Sequence, residues 1–419
     1  MVGELKLHGG VPAVTVPGPH EIWPPDADDA ELAELAAQRN ADIGIRGRTG
    51  PIRQFEEEFL VFLESQVRYA ISYNSGTSAL LAAYFALGVT RDVEVLGPAL
   101  TYHAALSPVY SLQGDVVLVD VDPSSRCIDP DRIEAAVTER TRVLTVVHQW
   151  GHPADMDRVL RIATRHDLRV LEDCSHAHGS RYRGRLCGTF GDAAVFSLQT
   201  NKAIFAGEGG ILVTNDSTVH DRATLLGHYR DRSRDEVRDP ALREYWVTGF
   251  GLKLRISPFN AIVASHALRR FPDRMRDRHQ CLNYFRERLT EIDYLDPVAI
   301  ETDIDMGAWY GFKPLYRSEV LSGLSKNRLI EALRAEGMEI CDPSGPCLAT
   351  LPLYGEAPDQ MFPGRPKRPN DPGGFPVAHD LVNRALSLPT FSDWARDREI
   401  IDQYVSAFAK IGKFHRELL

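Results

Sequence analysis

The chain has 419 residues, 43% hydrophobic and 25% charged, with a net charge of −10 at pH 7. That length allows two or three domains with large cores, and the acidic balance argues against a nucleic-acid partner, which needs a basic face. The N-terminus MVGELKLHGG lacks the apolar core of a signal peptide, and the longest apolar run, 79–89, is too short to span a bilayer.

In chain order, residues 1–30 are rich in Pro and Gly and read as an extended arm. Residues 31–39 have helical spacing. A glycine-punctuated loop, 44–50, then precedes a helix with Pro51 near its start and Phe55, Phe59 and Phe62 on one face. The run to Tyr73 reads as a strand, 74–77 as a tight turn and 78–87 as a helix. Gly76 allows close backbone approach, and free N–H groups at a helix start attract an anion; simple N-capping explains the same residues. The segment VEVLGPALTYHAALSPV repeats this strand–turn–helix scheme, and on residues alone its Tyr102 is an ordinary core tyrosine.

Strand-like runs fall at 68–73, 93–97, 115–120, 143–148, 168–172, 193–198 and 210–214. Alternating with helical patterns, they predict an α/β fold with a mostly parallel seven-stranded sheet covered on both sides. Residues 217–245 are charged and helical and are expected to bridge two domains. A long helix from Met275 leads into a smaller α/β portion, with strand-like pieces at 308–316 and 337–341. Residues 356–376 hold six prolines and read as a loop, and 397–413 form a terminal amphipathic helix. The six cysteines (Cys127, Cys174, Cys187, Cys281, Cys341 and Cys347) show no CxxC pair. Neither a metal site nor a disulfide framework is expected, which suits a reducing cytoplasm.

The chemistry concentrates in 172–210. An apolar run, 168–171, gives way to Glu172 and Asp173, as when a buried parallel strand delivers a carboxylate to its C-terminal end. Lys202 follows the next strand-like run. A carboxylate facing a pyridinium nitrogen and a lysine forming a Schiff base are the two groups that pyridoxal phosphate needs. Taken alone, the two residues also fit a helix-capping aspartate and a solvated lysine. Cys174 beside them reads as a small buried filler.

The whole stretch weighs for the first reading. Its EDCSHAHG, GDAAVFS, Lys202 and GEGG segments closely resemble the DegT/DnrJ/EryC1/StrS family of pyridoxal-phosphate-dependent aminotransferases, whose E-D-x-x-[HQ]-A-x-G, G-D-x-x-x-F-S, Lys and G-E-G-G segments occur here in order. The resemblance extends to SGT at 75–77, H-x-x-G at 148–151, PADMD at 153–157, G-x-K-x-R at 251–255 and ALSLPTF at 385–391. One departure stands out: Lys253 occupies a position where most members have Asn.

The resemblance implies a fold type I pyridoxal phosphate transferase, with an arm (1–30), a large cofactor domain (31–250) and a small C-terminal domain (251–419). It gives Lys202 the Schiff base and the proton transfers, and Asp173 the ring nitrogen. His176 faces the ring oxygen, and Tyr102 lies flat on the cofactor. Gly76, Thr77 and Ser197 hold the phosphate, and the family's Asn reaches it from the partner of a homodimer with shared active sites; Lys253 in its place either makes the same contact or turns away or toward the substrate. Arg46 and Arg48, near the entrance, either meet an anionic substrate or, like most exposed loop arginines, only water, and His148 has a structural role. The implied reaction is ping-pong, from glutamate or glutamine to a keto-sugar or keto-cyclitol, in secondary-metabolite or cell-surface sugar biosynthesis. Two other readings compete. Elimination or dehydration on the same fold is disfavoured by Lys202, which the family's dehydratases replace with His. A catalytically silent regulatory protein is disfavoured by the joint presence of Asp173, Lys202, Thr77 and Ser197. The acceptor stays open between a sugar nucleotide, a free cyclitol and a cyclic enone.

Overall fold

The computed structural model describes residues 5–41, 43–342, 345–355 and 370–419. Most of the proline-rich segment, 356–369, lies outside them. All seven expected strands form: β1 (Tyr69–Tyr73), β2 (Glu94–Pro98), β3 (Asp115–Val119), β4 (Thr141–Val147), β5 (Arg169–Asp173), β8 (Ala193–Ser197) and β9 (Gly210–Thr214). Between β5 and β8, β6 (Arg181–Tyr182) and β7 (Arg185–Leu186) make a small ribbon. The sheet order is β1-β9-β8-β5-β4-β2-β3, parallel except for β9, which runs against both neighbours. The parallel strands therefore end along one edge, where open α/β sheets bind ligands.

Both faces are covered, which is why the strands read as continuous apolar runs. On β4, Val143 and Val147 join a core with helices Gly76–Ala86 and Ser217–Gly227, whereas Leu144 and Val146 pack with helix Met156–Arg165. Of residues 217–245, expected to bridge domains, helix Ser217–Gly227 covers the sheet: Val219, Ala223 and Leu226 belong to its core. Helix Gly50–Phe62 places Phe55 and Phe59 against Phe196 and Ile211. Helix Pro258–Arg269 joins the same cluster through Ala261, Ala264 and Ala267.

A second core lies beyond. Helices Phe271–Leu289, Lys326–Ala335 and Trp394–Phe414 enclose Cys281, Phe285, Leu333, Tyr404 and Phe408. The arm packs into it through Leu5 and Val14, tied by the N–H groups of Lys6 and Ala13 to Glu336 at 2.8 and 2.9 Å. Among the described residues, no helix is long and apolar enough to cross a membrane.

Candidate active site

The strand ends of β1, β2, β4, β5 and β8 open on a cleft of ≈ 1230 Å³, which the arm and the second core close from the other side. Helix Gly76–Ala86 starts at its floor. Ser75 caps it by accepting from Ser78 N at 3.0 Å, while Gly76 and Thr77 line the cleft with first-turn N–H groups that have no intrahelical acceptor. Gly76 is required sterically: a Cβ there would come within 2.8 Å of Ser197 Cβ. Gly210 is required likewise, since its Cβ would sit 2.5 Å from Ser75 O. The Gly-rich turn after Lys202 thus lets β9 pass against the helix start and keeps Ser197 beside it.

Asp173 ends β5, 5% exposed, and accepts from Ser175 N at 3.0 Å. Burial raises its carboxyl above the ordinary range, opposed by the Ser175 hydrogen bonds and the Lys202 charge. Lys202 follows a turn closed by its N–H to Gln199 O at 2.8 Å. Burial holds its amine down to about 8, with the Asp173 charge acting the other way. Its Nζ lies 4.0 Å from the Tyr310 ring centroid. The His176 ring stacks on the same Tyr310, 4.0 Å away and 8° from parallel. Burial keeps His176 neutral, and its Nδ1 has no partner; nor does Gln149 Oε1. Tyr102 is no core residue: it is 64% exposed at the cleft wall.

Support for this edge comes from Glu172, fully buried one residue before Asp173. Its oxygens accept from Gly188, Phe190 and Gly191 N–H groups at 2.8, 2.7 and 2.7 Å and face His148 Nε2 at 3.1 Å. His148 Nδ1 accepts from Ala154 N, so the proton sits on Nε2 and points at the carboxylate. Burial pushes Glu172 up, but the His148 and backbone hydrogen bonds outweigh it and leave the group ionised. Cys174 lies close enough to complete a metal-ligand trio with this pair. Both residues' polar atoms already serve the protein, and burial pushes the Cys174 thiol well up. Glu172→Gln, by turning a donor toward this set of N–H groups, should cost on the order of 3 kcal/mol in chemical denaturation. A loss under about 0.5 kcal/mol, the level of an ordinary surface change, would refute that structural role.

Of the remaining expected residues, Lys253 is exposed and does not line its own chain's cleft; its Nζ lies 5.9 Å from the Tyr229 ring centroid. Arg48 does not face the cleft but pairs with Glu56 at 2.7 Å, and Arg46 lies outside the lining as well. Sequence reasoning missed Glu21, Trp23, Arg278, Tyr310, Lys313 and Glu339. They come from the arm and the second core, whose contributions have no local motif. The arm is anchored here by Trp23 Nε1, which donates to Thr200 O at 3.0 Å beside the Lys202 turn.

The residues fit pyridoxal phosphate. The unpartnered His176 and Gln149 atoms, the glycine-lined helix start and the Asp173–Lys202 pair are polar groups of the kind its ring, phosphate and aldehyde require.

Comparison with known proteins agrees. A family model for the DegT/DnrJ/EryC1/StrS aminotransferase family matches residues 25–405. The chain is 32% identical over 428 residues to an L-glutamine:2-deoxy-scyllo-inosose aminotransferase of Streptoalloteichus tenebrarius, covering 99% of each. It is 36% identical over 323 residues to an L-glutamine:scyllo-inosose aminotransferase of Streptomyces griseus, covering 75% of each. The X-ray structure of an aminotransferase from Psychrobacter cryohalolentis superposes with a TM-score of 0.80 at 27% identity, covering 95% of this chain and 99% of that one.

Proposed function

The chain belongs to the DegT/DnrJ/EryC1/StrS aminotransferase family, and from that premise we propose that it moves the amino group of L-glutamine to the ketone of a free keto-cyclitol. The observation that carries the reading is the convergence of Asp173 and Lys202 on one cleft with the helix start at Gly76. When bound, pyridoxal phosphate supplies an aldehyde to take up the amino group and a ring to withdraw electrons. Gly76 and Thr77 N–H and the Ser197 hydroxyl hold its phosphate, Tyr102 covers its face, and His176 stands at its ring oxygen. Asp173 keeps the ring nitrogen protonated by charge pairing. Lys202, held at about 8, is poised to give and take a proton near neutral pH. In this division of labour 31–250 carries the cofactor, 251–419 closes the cleft over the substrate, and the arm of 1–30 ties the two together. Six free cysteines suit a cytoplasmic enzyme.

The charges of the cleft favour an uncharged polyol. Glu21, Glu208 and Glu339 line it together with the cations Arg278 and Lys313 and offer acceptors for ring hydroxyls, while a nucleotide diphosphate would meet repulsion from these carboxylates. Glutamine should convert the purified yellow enzyme to its aminated form. That form should then aminate scyllo-inosose or 2-deoxy-scyllo-inosose with kcat/KM at least about 10²-fold above that for a nucleotide-linked ketosugar. Mass spectrometry of the products decides, and a preference for the nucleotide sugar would reject the cyclitol reading.

The working unit is a homodimer in which Lys253 reaches the partner's phosphate. Tyr245, Val247, Phe250 and Leu252, just before it, are 50%, 47%, 44% and 40% exposed, an apolar stretch suited to a second copy. An ammonium–phosphate hydrogen bond is roughly twice as strong as a neutral one, so the lysine can replace the usual Asn. Mixing Lys202→Ala with Lys253→Ala subunits should regenerate one intact site per hybrid dimer. A fully active monomer, or pyridoxal phosphate bound as tightly by Lys253→Ala as by wild type, would overturn this arrangement.

A further inference from the structure

One wall of the cleft carries positive charge that none of these roles uses. Lys313 lines the cleft three residues after Tyr310, donates from Nζ to Ser387 Oγ at 2.7 Å, and stands 5.2 Å from the Trp150 ring centroid. Among the described residues it forms no ion pair with a carboxylate. Behind it Arg126, 6% exposed, donates from Nη1 to the Lys313 carbonyl at 2.8 Å and packs its guanidinium 5.5 Å from the same Trp150 ring. Arg126 Nε has no partner, and among the described residues Arg126 too forms no ion pair with a carboxylate. Two cations, one half-buried and one buried, therefore share one indole with no carboxylate in ion-pair contact among the described residues.

The backbone is shaped for this arrangement. Trp150 is held at φ 55°, ψ 19°, an uncommon conformation for so bulky a residue. Its carbonyl accepts from Gly311 N, which binds the Trp150 turn to the segment bearing Lys313. Gly311 keeps the two side chains close, since a Cβ there would lie 3.1 Å from Lys313 Cε and 3.3 Å from Trp150 Cβ. Burial holds Lys313 down to about 8, so near neutral pH it is still charged in most molecules. A half-buried cation of this kind is further stabilised by an opposite charge brought to it.

We propose that Lys313, backed by Arg126 and Trp150, holds the α-carboxylate of the amino donor. The inference rests on the glutamine reading above and adds the group that recognises the donor. The carboxylate of an α-amino acid is attached to the carbon that carries the transferred nitrogen. Its anchor must therefore stand close to Lys202, and Lys313 lines the same cleft three residues after Tyr310, whose ring the Lys202 amine contacts. A nucleotide diphosphate is the other source of an anion, but the cleft carboxylates oppose its several charges more than the single charge of a carboxylate.

Glutaramate, which is glutamine without its α-amino group, cannot react and isolates the binding step. Calorimetry on the holoenzyme should show its affinity falling at least about 10-fold in Lys313→Met, a variant that keeps the stem, and by less in Lys313→Arg, which keeps the charge. The neutral pentanediamide should not distinguish the proteins. In the glutamine half-reaction the apparent Kd should rise in parallel, while amination of the keto acceptor by the aminated enzyme changes far less. Unchanged glutaramate affinity in Lys313→Met overturns the inference even where wild-type glutamine turnover upholds the function. Uridine diphosphate binding lost in Lys313→Met with glutaramate binding retained also overturns it, in favour of a nucleotide site. A wild type that binds glutaramate through Lys313 yet is never aminated by glutamine would reject the function and leave the anion site standing.

Discussion

Lys202→Ala is expected to lose at least about 10⁴-fold in transamination, at or beyond the upper end of what one general acid–base group contributes, because the same amine also holds the cofactor. Its fold should survive, since Nζ has a ring contact with Tyr310 and a charge interaction with Asp173 but, among the described residues, no hydrogen bond on which another element depends. The amine is in fact costly to the protein without cofactor. It is 9% exposed, and its depression from the ordinary value to about 8 corresponds to a cost on the order of 3 kcal/mol. The sign follows from linkage: the folded value is the lower one, so the cost is fully present below about 8 and vanishes as pH rises to the unfolded value. Lys202→Met, which keeps the stem, should therefore unfold at higher denaturant than cofactor-free wild type at pH 7, and the gap should close in alkaline buffer. An active Lys202→Ala enzyme would sink the catalytic assignment. A Lys202→Met protein no more stable than wild type at pH 7 would sink the claim that this amine is held there under strain.

The sheet and the half of the site it carries were legible because each lies within one local pattern. Apolar runs covered on both faces betray parallel strands, and Asp173 and Lys202 sit where such runs stop. The glycines at 76 and 210 were visible as residues, but the reason for them, backbone passing within a side chain's width of Ser197 and Ser75, appears only in three dimensions. Tyr102 shows the limit from the other side. Its neighbours suggested a core position, and only the open cleft explains a tyrosine left 64% exposed. Helix 217–227 was placed between domains because its charged residues hid the stripe of Val219, Ala223 and Leu226 that covers the sheet. The other wall of the cleft was out of reach of any local pattern. Glu21 is about 370 residues from Thr390, whose backbone and hydroxyl it binds, and nothing near either residue announces the pairing.

Asp173→Asn should leave the fold and the cleft intact and lower kcat by about 10²–10³-fold, the range for removing one preorganised electrostatic group. Asn has the same shape, and its amide oxygen can still accept from Ser175 N, so the local turn has no reason to move. What disappears is the charge. A neutral amide cannot hold a proton on a ring nitrogen by ion pairing, and electron withdrawal by the ring is needed most where negative charge develops, in the transition state. The loss should therefore appear in kcat with little change in KM for the donor. A second consequence needs no cofactor. The Asp173 charge raises the Lys202 amine against its burial, so the substitution should drive that amine below its present value of about 8. Cofactor-free Asp173→Asn should accordingly show a Lys202 that stays neutral to lower pH, readable by the pH dependence of its modification with an amine-selective reagent. The two readouts separate the possible roles. A kcat loss with an unmoved lysine titration would confine Asp173 to the ring, and a moved titration with unchanged kcat would make it a tuner of Lys202. Neither effect appearing would remove Asp173 from the reaction altogether.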